Sequence, residues 1–244
     1  MVFKQFEVHD EDCAMKVGTD ALLLGSWCEV ASARRIINAG TGSGIVALMA
    51  AQRAPLAEVT GVELEPQAVA EANANAARCP WPNRIRVVED SIQAFAAKAE
   101  HQGRFDAFLI NPPFFHGKPK SPDEARNLAR HDDALPYAAF LDAAWKLLSP
   151  VGSLQVVWPW ERWAELKEGA EVSGFHMRRQ AEVCGREGHE PRRVLSHWVK
   201  FTPEELPERE VISIELGKRV EGQPQLSSRY KELLSPYVVT WPER

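Results

Sequence analysis

The sequence predicts an α/β fold, with a doubly wound, mostly parallel seven-stranded sheet and helices on both faces. Between residues 34 and 175, short apolar runs alternate with helical patterns, which is typical of parallel strands covered on both sides. A glycine-rich turn follows the first run, at residues 40–44. The fourth run ends at Pro112-Pro113, and consecutive prolines cannot continue a central strand. We therefore expect the chain to leave the sheet there.

The first five strands and their helices follow one another along the chain. Residues 43–53 are rich in Ala, Leu and Met, which favour a helix. Pro66 suits the first turn of the next helix, and Asp90 suits the N-cap of the third. The expected strands are 35–38, 59–62, 84–88, 105–110 and 153–158, and the expected helices are 43–53, 66–77, 91–99 and 137–148. The long polar segment 114–134 has the length usually kept for binding loops.

Beyond Gly174 polar and apolar residues alternate, which predicts an antiparallel hairpin at the C-terminal edge of the sheet. Its strands are expected at 176–183 and 194–201, followed by a strand at 210–216 and a short helix at 227–234. We find no linker, so we expect one domain over residues 1–244. Its parts are an N-terminal segment at 1–30, an α/β core at 31–175 and C-terminal strands with a short helix at 176–244.

The composition is that of a globular protein, with 45% hydrophobic and 26% charged residues. This balance excludes a disordered or fibrous chain. No apolar run is long enough to span a bilayer, and the first residues lack the basic and apolar blocks of a signal peptide. We therefore expect a cytoplasmic protein. The four cysteines and seven histidines are scattered, so no metal site is expected.

The net charge of −5 argues against general binding to nucleic acid. Two stretches are nevertheless basic. They contain Lys118, Lys120, Arg126 and Arg130, and Arg178, Arg179, Arg186, Arg192 and Arg193. Either these are solvated surface charges interleaved with glutamates, or they flank a binding site.

The turn after the first strand carries Gly40, Gly42 and Gly44. Glycine tolerates positive φ and lets a ligand approach the backbone, and the helix that follows offers unpaired N–H groups. Glu63 ends the second strand, where a carboxylate can accept both hydroxyls of an adenosine ribose. The spacing G-x-G-x-G differs from that of dinucleotide-binding domains. A tight turn without a ligand is the alternative interpretation.

A second candidate site is the tetrapeptide Asn111-Pro112-Pro113-Phe114, at the end of the fourth strand. A planar amino or amide nitrogen is a poor nucleophile because its lone pair is delocalised. The Asn111 side-chain carbonyl and the Pro112 backbone carbonyl can each accept one of its N–H groups, which moves the nitrogen toward sp3 geometry. The prolines fix these acceptors in advance, and Phe114 offers a face for stacking. The alternative is a proline-stiffened strand exit.

The glycine turn resembles motif I of the class I methyltransferases, in which it holds the methionine part of S-adenosyl-L-methionine. The resemblance implies that this cofactor lies against the turn, Glu63 and Asn111, with its adenine at Asp90 and Ser91. The family usually carries an acid where this chain has Asn38. Asparagine keeps an acceptor oxygen but loses the charge, which predicts weaker cofactor binding.

The Asn-Pro-Pro-Phe segment is similar to the motif of the amino-methyltransferases, which act on adenine N6, cytosine N4, guanine N2 and glutamine amides. The N-terminus resembles the opening of the bacterial tRNA adenine-N6-methyltransferases that modify valine tRNA at position 37, in the anticodon loop. In that family the matching stretch packs over the cofactor, which adds Lys16, Gly18, Thr19 and Asp20. Without a ligand, these residues only lead into a helix at 21–27.

This second resemblance continues through nearly the whole chain. It implies a tRNA partner, contacted by basic residues on both sides of the site, and N6-methyladenosine as the product. The RNA-binding candidates are Lys118, Lys120, Arg130, Arg192 and Arg193.

Three alternatives stay open. The guanine-N2 methyltransferases of ribosomal RNA share the motif, as Phe115-His116-Gly117 indicates, but they usually carry a second domain. The glutamine-N5 methyltransferases of release factors add an N-terminal helical domain. The third alternative is an inactive methyltransferase fold that serves as an RNA-binding module, which only Asn38 supports.

Overall fold

The computed structural model describes residues 1–11, 13, 15–112, 137–221 and 223–239. Its helices are α1 (Thr19–Trp27), α2 (Ile45–Arg53), α3 (Pro66–Arg78), α4 (Ile92–Ala97), α5 (Tyr137–Leu147), α6 (Trp163–Val172) and α7 (Ser228–Leu234). Its strands are β1 (Arg35–Ala39), β2 (Glu58–Glu63), β3 (Ile85–Glu89), β4 (Phe105–Ile110), β5 (Leu148–Pro159), β6 (His176–Arg186), β7 (Pro191–Val199), β8 (Glu208–Val220) and β9 (Gln223–Leu226). No helix of the described part is long and apolar enough to cross a membrane.

All these strands join one sheet in the order β3-β2-β1-β4-β5-β7-β6-β8-β9. Strands β1 to β5 pair in parallel, β7 is antiparallel to its neighbours β5 and β6, and β9 is antiparallel to β8. The predicted α/β class with a mostly parallel core and an antiparallel C-terminal edge is confirmed. The strand number is nine in the described residues rather than seven, because β8 pairs in parallel with β6 and β9 extends it.

Helices cover both faces of the sheet, so each central strand is buried on both sides. In β1, Ile36 packs into a core with α1, α2 and α7, whereas Ile37 packs into a second core with α4, α5 and α6. Both side chains are 0% exposed. Burial of this kind stabilises by about 25 cal/mol per Å² of apolar surface removed from water, and it explains the near-continuous apolar runs in the sequence.

Strands β5, β7 and β8 begin 2–5 residues earlier than expected, and two helices start differently from the prediction. Helix α2 begins at Ile45, after Gly44 with φ of 82°. Helix α4 is capped by Ser91, whose side chain accepts a hydrogen bond from the Ala94 N–H, and not by Asp90 as the sequence predicted. Asp90 instead pairs with Lys98 Nζ at 2.8 Å.

The two ends of the described chain meet on the α1–α2 side of the sheet. The Lys4 N–H donates to the Tyr237 carbonyl at 2.7 Å. The Tyr237 ring is fully buried, and its hydroxyl donates to the Met49 carbonyl of α2 at 3.2 Å. The N-terminal segment is therefore packed against residues that follow the last helix.

Strand β7 carries a buried histidine that should make stability sensitive to acid. His197 is 4% exposed, and its Nδ1 lies 3.5 Å from Glu29 Oε2. Burial lowers its pKa from 6.5 to about 4; Glu29 opposes this shift, and Arg178 and Arg179 add to it.

We expect the free energy of unfolding to fall as the pH drops from about 6.5 to 4, because the unfolded chain then binds a proton at His197 and the folded chain does not. Above that window both states are neutral and the contribution is constant. Over this window the free energy of unfolding should change by up to about 3 kcal/mol. Urea unfolding at several pH values should show a weaker pH dependence in His197→Gln than in the exposed control His176→Gln. Equal slopes would contradict the assignment.

Candidate active site

The carboxyl ends of four parallel strands bring the candidate residues to one edge of the sheet. Ala39 at the end of β1 pairs with Val62 of β2 and with Ile110 of β4, and Glu63 of β2 pairs with Glu89 of β3. The glycine turn, Glu63, Asp90 and Asn111 follow these positions directly. Strand β1 lies where the strand order reverses, which is where open α/β sheets bind ligands.

The glycine turn between β1 and α2 leaves open space above its backbone. Gly40, Gly42 and Gly44 have φ values of 60°, 52° and 82°, a left-handed region that other residues rarely adopt. A Cβ added at Gly40 or Gly42 would meet nothing within 4 Å, whereas one at Gly44 would contact Ala72 Cβ at 3.4 Å. A ligand can therefore lie directly on the backbone at the first two glycines.

Asn38 is buried beneath this turn. Its Oδ1 accepts a hydrogen bond from Thr41 Oγ1 at 2.7 Å, and its Nδ2 donates to the Leu109 carbonyl at 3.2 Å. With 1% exposure, the side chain links the turn to β4. Asparagine at this position thus has a structural reason, which a charged acid could satisfy only in part because it has no N–H to donate.

The Glu63 carboxylate holds the turn from the other side. Its Oε2 accepts from the Gly42 N–H at 2.8 Å, and its Oε1 accepts from the N–H groups of Leu64 and Glu65 at 2.8 and 3.2 Å. Each carboxylate oxygen has about two acceptor positions. Among the described residues, Oε2 therefore keeps one position for a ligand hydroxyl, and a second hydroxyl would have to displace a backbone N–H.

Asn111 differs from its neighbours because its acceptor is buried and unused. No described residue donates to Asn111 Oδ1, although the atom is inaccessible to water. Pro112 beside it is also buried. Pro113, Phe114, Lys118, Lys120 and Arg130 lie outside the described residues. An unpaired buried acceptor costs about 1–3 kcal/mol, and a ligand that donated a hydrogen bond to it at this edge would offset that cost.

The predicted N-terminal residues lie before and at the start of α1, and one of them, Asp20, reaches this edge. Lys16 Nζ donates to the carbonyls of Asp10 and Glu11 at 2.6 and 2.8 Å. Gly18 is the N-cap of α1, and Thr19 is its first residue. Asp20 Oδ2 accepts from Arg193 Nε at 2.8 Å, so a cofactor candidate and an RNA candidate are bound to each other.

The two ends of the arginine-rich hairpin formed by β6 and β7 lie at opposite edges of the sheet. Arg193 faces Pro159, the last residue of β5, so Arg192 and Arg193 share the edge of the glycine turn. Arg178 instead lines a cleft of about 580 Å³ near the amino ends of the strands. Arg179 lies over the Trp27 ring and pairs with Glu210 at 2.7 Å. The expectation that all of this hairpin flanks the site is wrong, because β6 runs the length of the sheet.

One residue of this edge was not predicted from the sequence. Asn75 of α3 is 0% exposed and hydrogen-bonds both the Ser43 carbonyl and the backbone of His9. The available signal was its place on the apolar face of α3, beside Ala72 and Ala76.

Within the described part of the chain, no three His, Cys, Asp or Glu side chains are placed to hold a metal ion.

Comparison with known proteins identifies the family of this chain. The family model of the methyltransferase small domain matches residues 13–164. A tRNA1(Val) (adenine(37)-N6)-methyltransferase of Tolumonas auensis is 43% identical over 195 residues, which is 79% of this chain and 80% of that protein. The protein of the same name from Bacteroides thetaiotaomicron is 38% identical over 236 residues, 96% of this chain and 95% of its own.

Solved structures show the same fold at low identity. A predicted O-methyltransferase from Agrobacterium tumefaciens superposes with a TM-score of 0.69 at 18% identity, covering 93% of this chain and 100% of its own. TrmN from Thermus thermophilus gives 0.51 at 23% identity, covering 74% of this chain and 47% of its own. Because the family model matches more than half of the sequence and the relatives align along most of it, the chain belongs to the methyltransferase small domain family.

Proposed function

We propose that this protein transfers a methyl group from S-adenosyl-L-methionine to the exocyclic N6 of an adenine in tRNA. The observation that carries the proposal is the buried, unpaired Asn111 Oδ1 beside the glycine turn. An exocyclic amino group supplies the hydrogen-bond donor that this acceptor lacks. The relatives named tRNA1(Val) (adenine(37)-N6)-methyltransferases support adenine 37 of valine tRNA as the target, and we place the reaction in the cytoplasm.

The residues at the edge fit the cofactor. The open space above Gly40 and Gly42 admits the methionine part of the cofactor. The free acceptor position of Glu63 Oε2 accepts a hydrogen bond from a ribose hydroxyl. Asp90 and Ser91 follow β3, next to Glu63, where the adenine would lie. Ser91 already caps α4, so we assign the hydrogen bond with the adenine to Asp90.

The cofactor, when bound, supplies an electrophilic methyl group on a sulfonium. Asn111 Oδ1 and the Pro112 carbonyl each accept one N–H of the target amino group, which localises the lone pair on nitrogen. Fixed acceptors of this kind align the nucleophile without an entropy cost during the reaction. The proton of the methylated nitrogen then leaves to water, so the site needs no strong general base.

The target adenine has to leave its stack to reach this edge. Flipping costs least in a loop, where the base has no partner strand, and this favours the anticodon loop. Arg192 is exposed at the same edge and contacts a neighbouring phosphate in our proposal. Since each such contact releases counterions, activity should decrease with increasing salt although the protein is acidic.

The decisive experiment is nucleoside mass spectrometry of unmodified tRNA incubated with the protein and labelled cofactor. We expect N6-methyladenosine at position 37 of valine tRNA. Parallel reactions contain a ribosomal RNA with an accessible guanine and a release factor with its glutamine loop. Label in either of these substrates, with none in tRNA, would contradict the proposal and favour the guanine-N2 or glutamine-N5 reaction.

Replacing the acceptor residue tests the chemistry. Asn111→Ala removes one of two groups that align the nitrogen, and by comparison with deleting one oxyanion-hole donor we expect kcat to fall about 10²–10³-fold. The affinity for the cofactor should change far less. Asn83→Ala, an exposed asparagine near the opposite edge, is the control. Normal turnover in folded Asn111→Ala would show that the segment is only a strand exit.

Removing the ribose carboxylate tests the cofactor site. Glu63→Ala should weaken cofactor binding by roughly 1.5–3 kcal/mol, the range for hydrogen bonds to a charged group. The loss includes the hydrogen bond that Glu63 makes to the turn at Gly42. Isothermal calorimetry measures the change, and the exposed neighbour Glu65→Ala is the matched control. Equal affinities in both variants would rule out Glu63 as a cofactor ligand.

A further inference from the structure

The described residues 9–11, 13 and 15–20, called the strap below, run along the carboxyl edge of the sheet. Cys13 lies at its centre and is 4% exposed. Burial, a hydrogen bond to Glu71 and the charges of Glu71, Glu63 and Asp10 raise the pKa of its thiol to about 12. The start of the strap lies beside the glycine turn, because the carbonyls of His9 and Ser43 accept hydrogen bonds from the same Asn75 amide.

Hydrogen bonds within the strap stabilise its middle, and an ion pair fixes its C-terminal end. The Asp10 carboxylate accepts from the Val17 N–H at 2.7 Å, and Lys16 Nζ bridges the carbonyls of Asp10 and Glu11. At the far end, Asp20 pairs with Arg193 of β7, opposite the end of β5. The strap therefore spans the edge from the β2 side to the β5 side.

The near end of the strap is held by the side chain of Asn75. Its Nδ2 donates to the carbonyls of His9 at 2.7 Å and Ser43 at 2.9 Å. Its Oδ1 accepts from the His9 N–H at 3.0 Å and from an Arg78 guanidinium nitrogen at 2.7 Å. A single amide thus ties the start of the strap to the last residues of the glycine turn, and all of its hydrogen-bonding atoms are used.

We propose that Asn75 is a positioning residue, which aligns the strap with the glycine turn and thereby sets the affinity for S-adenosyl-L-methionine. The strap and the glycine turn must both be ordered when the cofactor is bound. If both are already ordered in the free protein, binding loses less conformational entropy. Asn75 does this without touching the cofactor itself, since it is fully buried in α3. The inference rests on the proposed cofactor site.

The test compares Asn75→Ala with Asn73→Ala, an exposed asparagine two residues earlier in the same helix. Calorimetry should show the dissociation constant for S-adenosylmethionine raised about tenfold or more in Asn75→Ala, because several hydrogen bonds are lost together. At saturating cofactor, kcat should stay within about twofold. Hydrogen exchange of the cofactor-free protein should accelerate at residues 9–18 and 40–44 but not in the central strands. Asn73→Ala should change none of these.

A milder variant covers the case in which Asn75→Ala does not fold. Asn75→Asp keeps the acceptor for His9 and Arg78 but cannot donate to the two carbonyls, so it should shift affinity and exchange in the same direction. Unchanged affinity in Asn75→Asp would overturn the proposal, as would faster exchange throughout the sheet, which indicates a general loss of stability. If the unaltered protein itself fails to bind the cofactor, the proposed function is wrong and not only the role of Asn75.

Discussion

The edge that carries the site depends on one turn whose left-handed backbone strongly favours glycine at three positions. Three left-handed residues between β1 and α2 would each cost about 1–3 kcal/mol with another side chain. The conformation is held from below by Asn38 through Thr41, and from the side by Glu63 through the Gly42 N–H. Since β1 and its neighbours β2 and β4 are buried, the residues that flank the turn are held in place. The space above it is therefore shaped before any ligand arrives.

The polar groups around the turn fall into two kinds. Asn38, Ser91 and Asn75 use their hydrogen-bonding atoms within the protein and fix local geometry. Asn111 Oδ1 does not, and a buried acceptor without a donor opposes folding. In the proposed reaction the amino group of the substrate satisfies this acceptor, so the atom that costs stability in the free protein favours a substrate with an N–H group. Under that proposal Asn111 contacts the substrate, whereas the other three residues support the turn and its neighbours.

Local chemistry made much of the fold predictable. Glycine at 40, 42 and 44 marks the turn before α2, Pro66 marks the start of α3, and Pro112 follows the end of β4, so these elements were placed within a few residues. Strand β9 was missed because four polar and apolar residues carry no clear periodicity. The opposite locations of Arg178 and Arg193 could not be read from spacing, since they depend on the length and direction of β6. Asn75 was missed because most of its partners are backbone atoms of distant segments, which a side-chain pattern does not reveal.

The contact between Lys4 and Tyr237 has a consequence for how the molecule is made. A chain that grows from its N-terminus produces the glycine turn early, but β1 gains its second neighbour only when β4 has been synthesised. The segment that precedes the strap gains its contact with Tyr237 only after the C-terminal strands and α7 have been synthesised. Contacts between such distant residues slow folding. A chain that stops before α7 therefore contains the glycine turn but lacks the hydrogen bond between Lys4 and Tyr237.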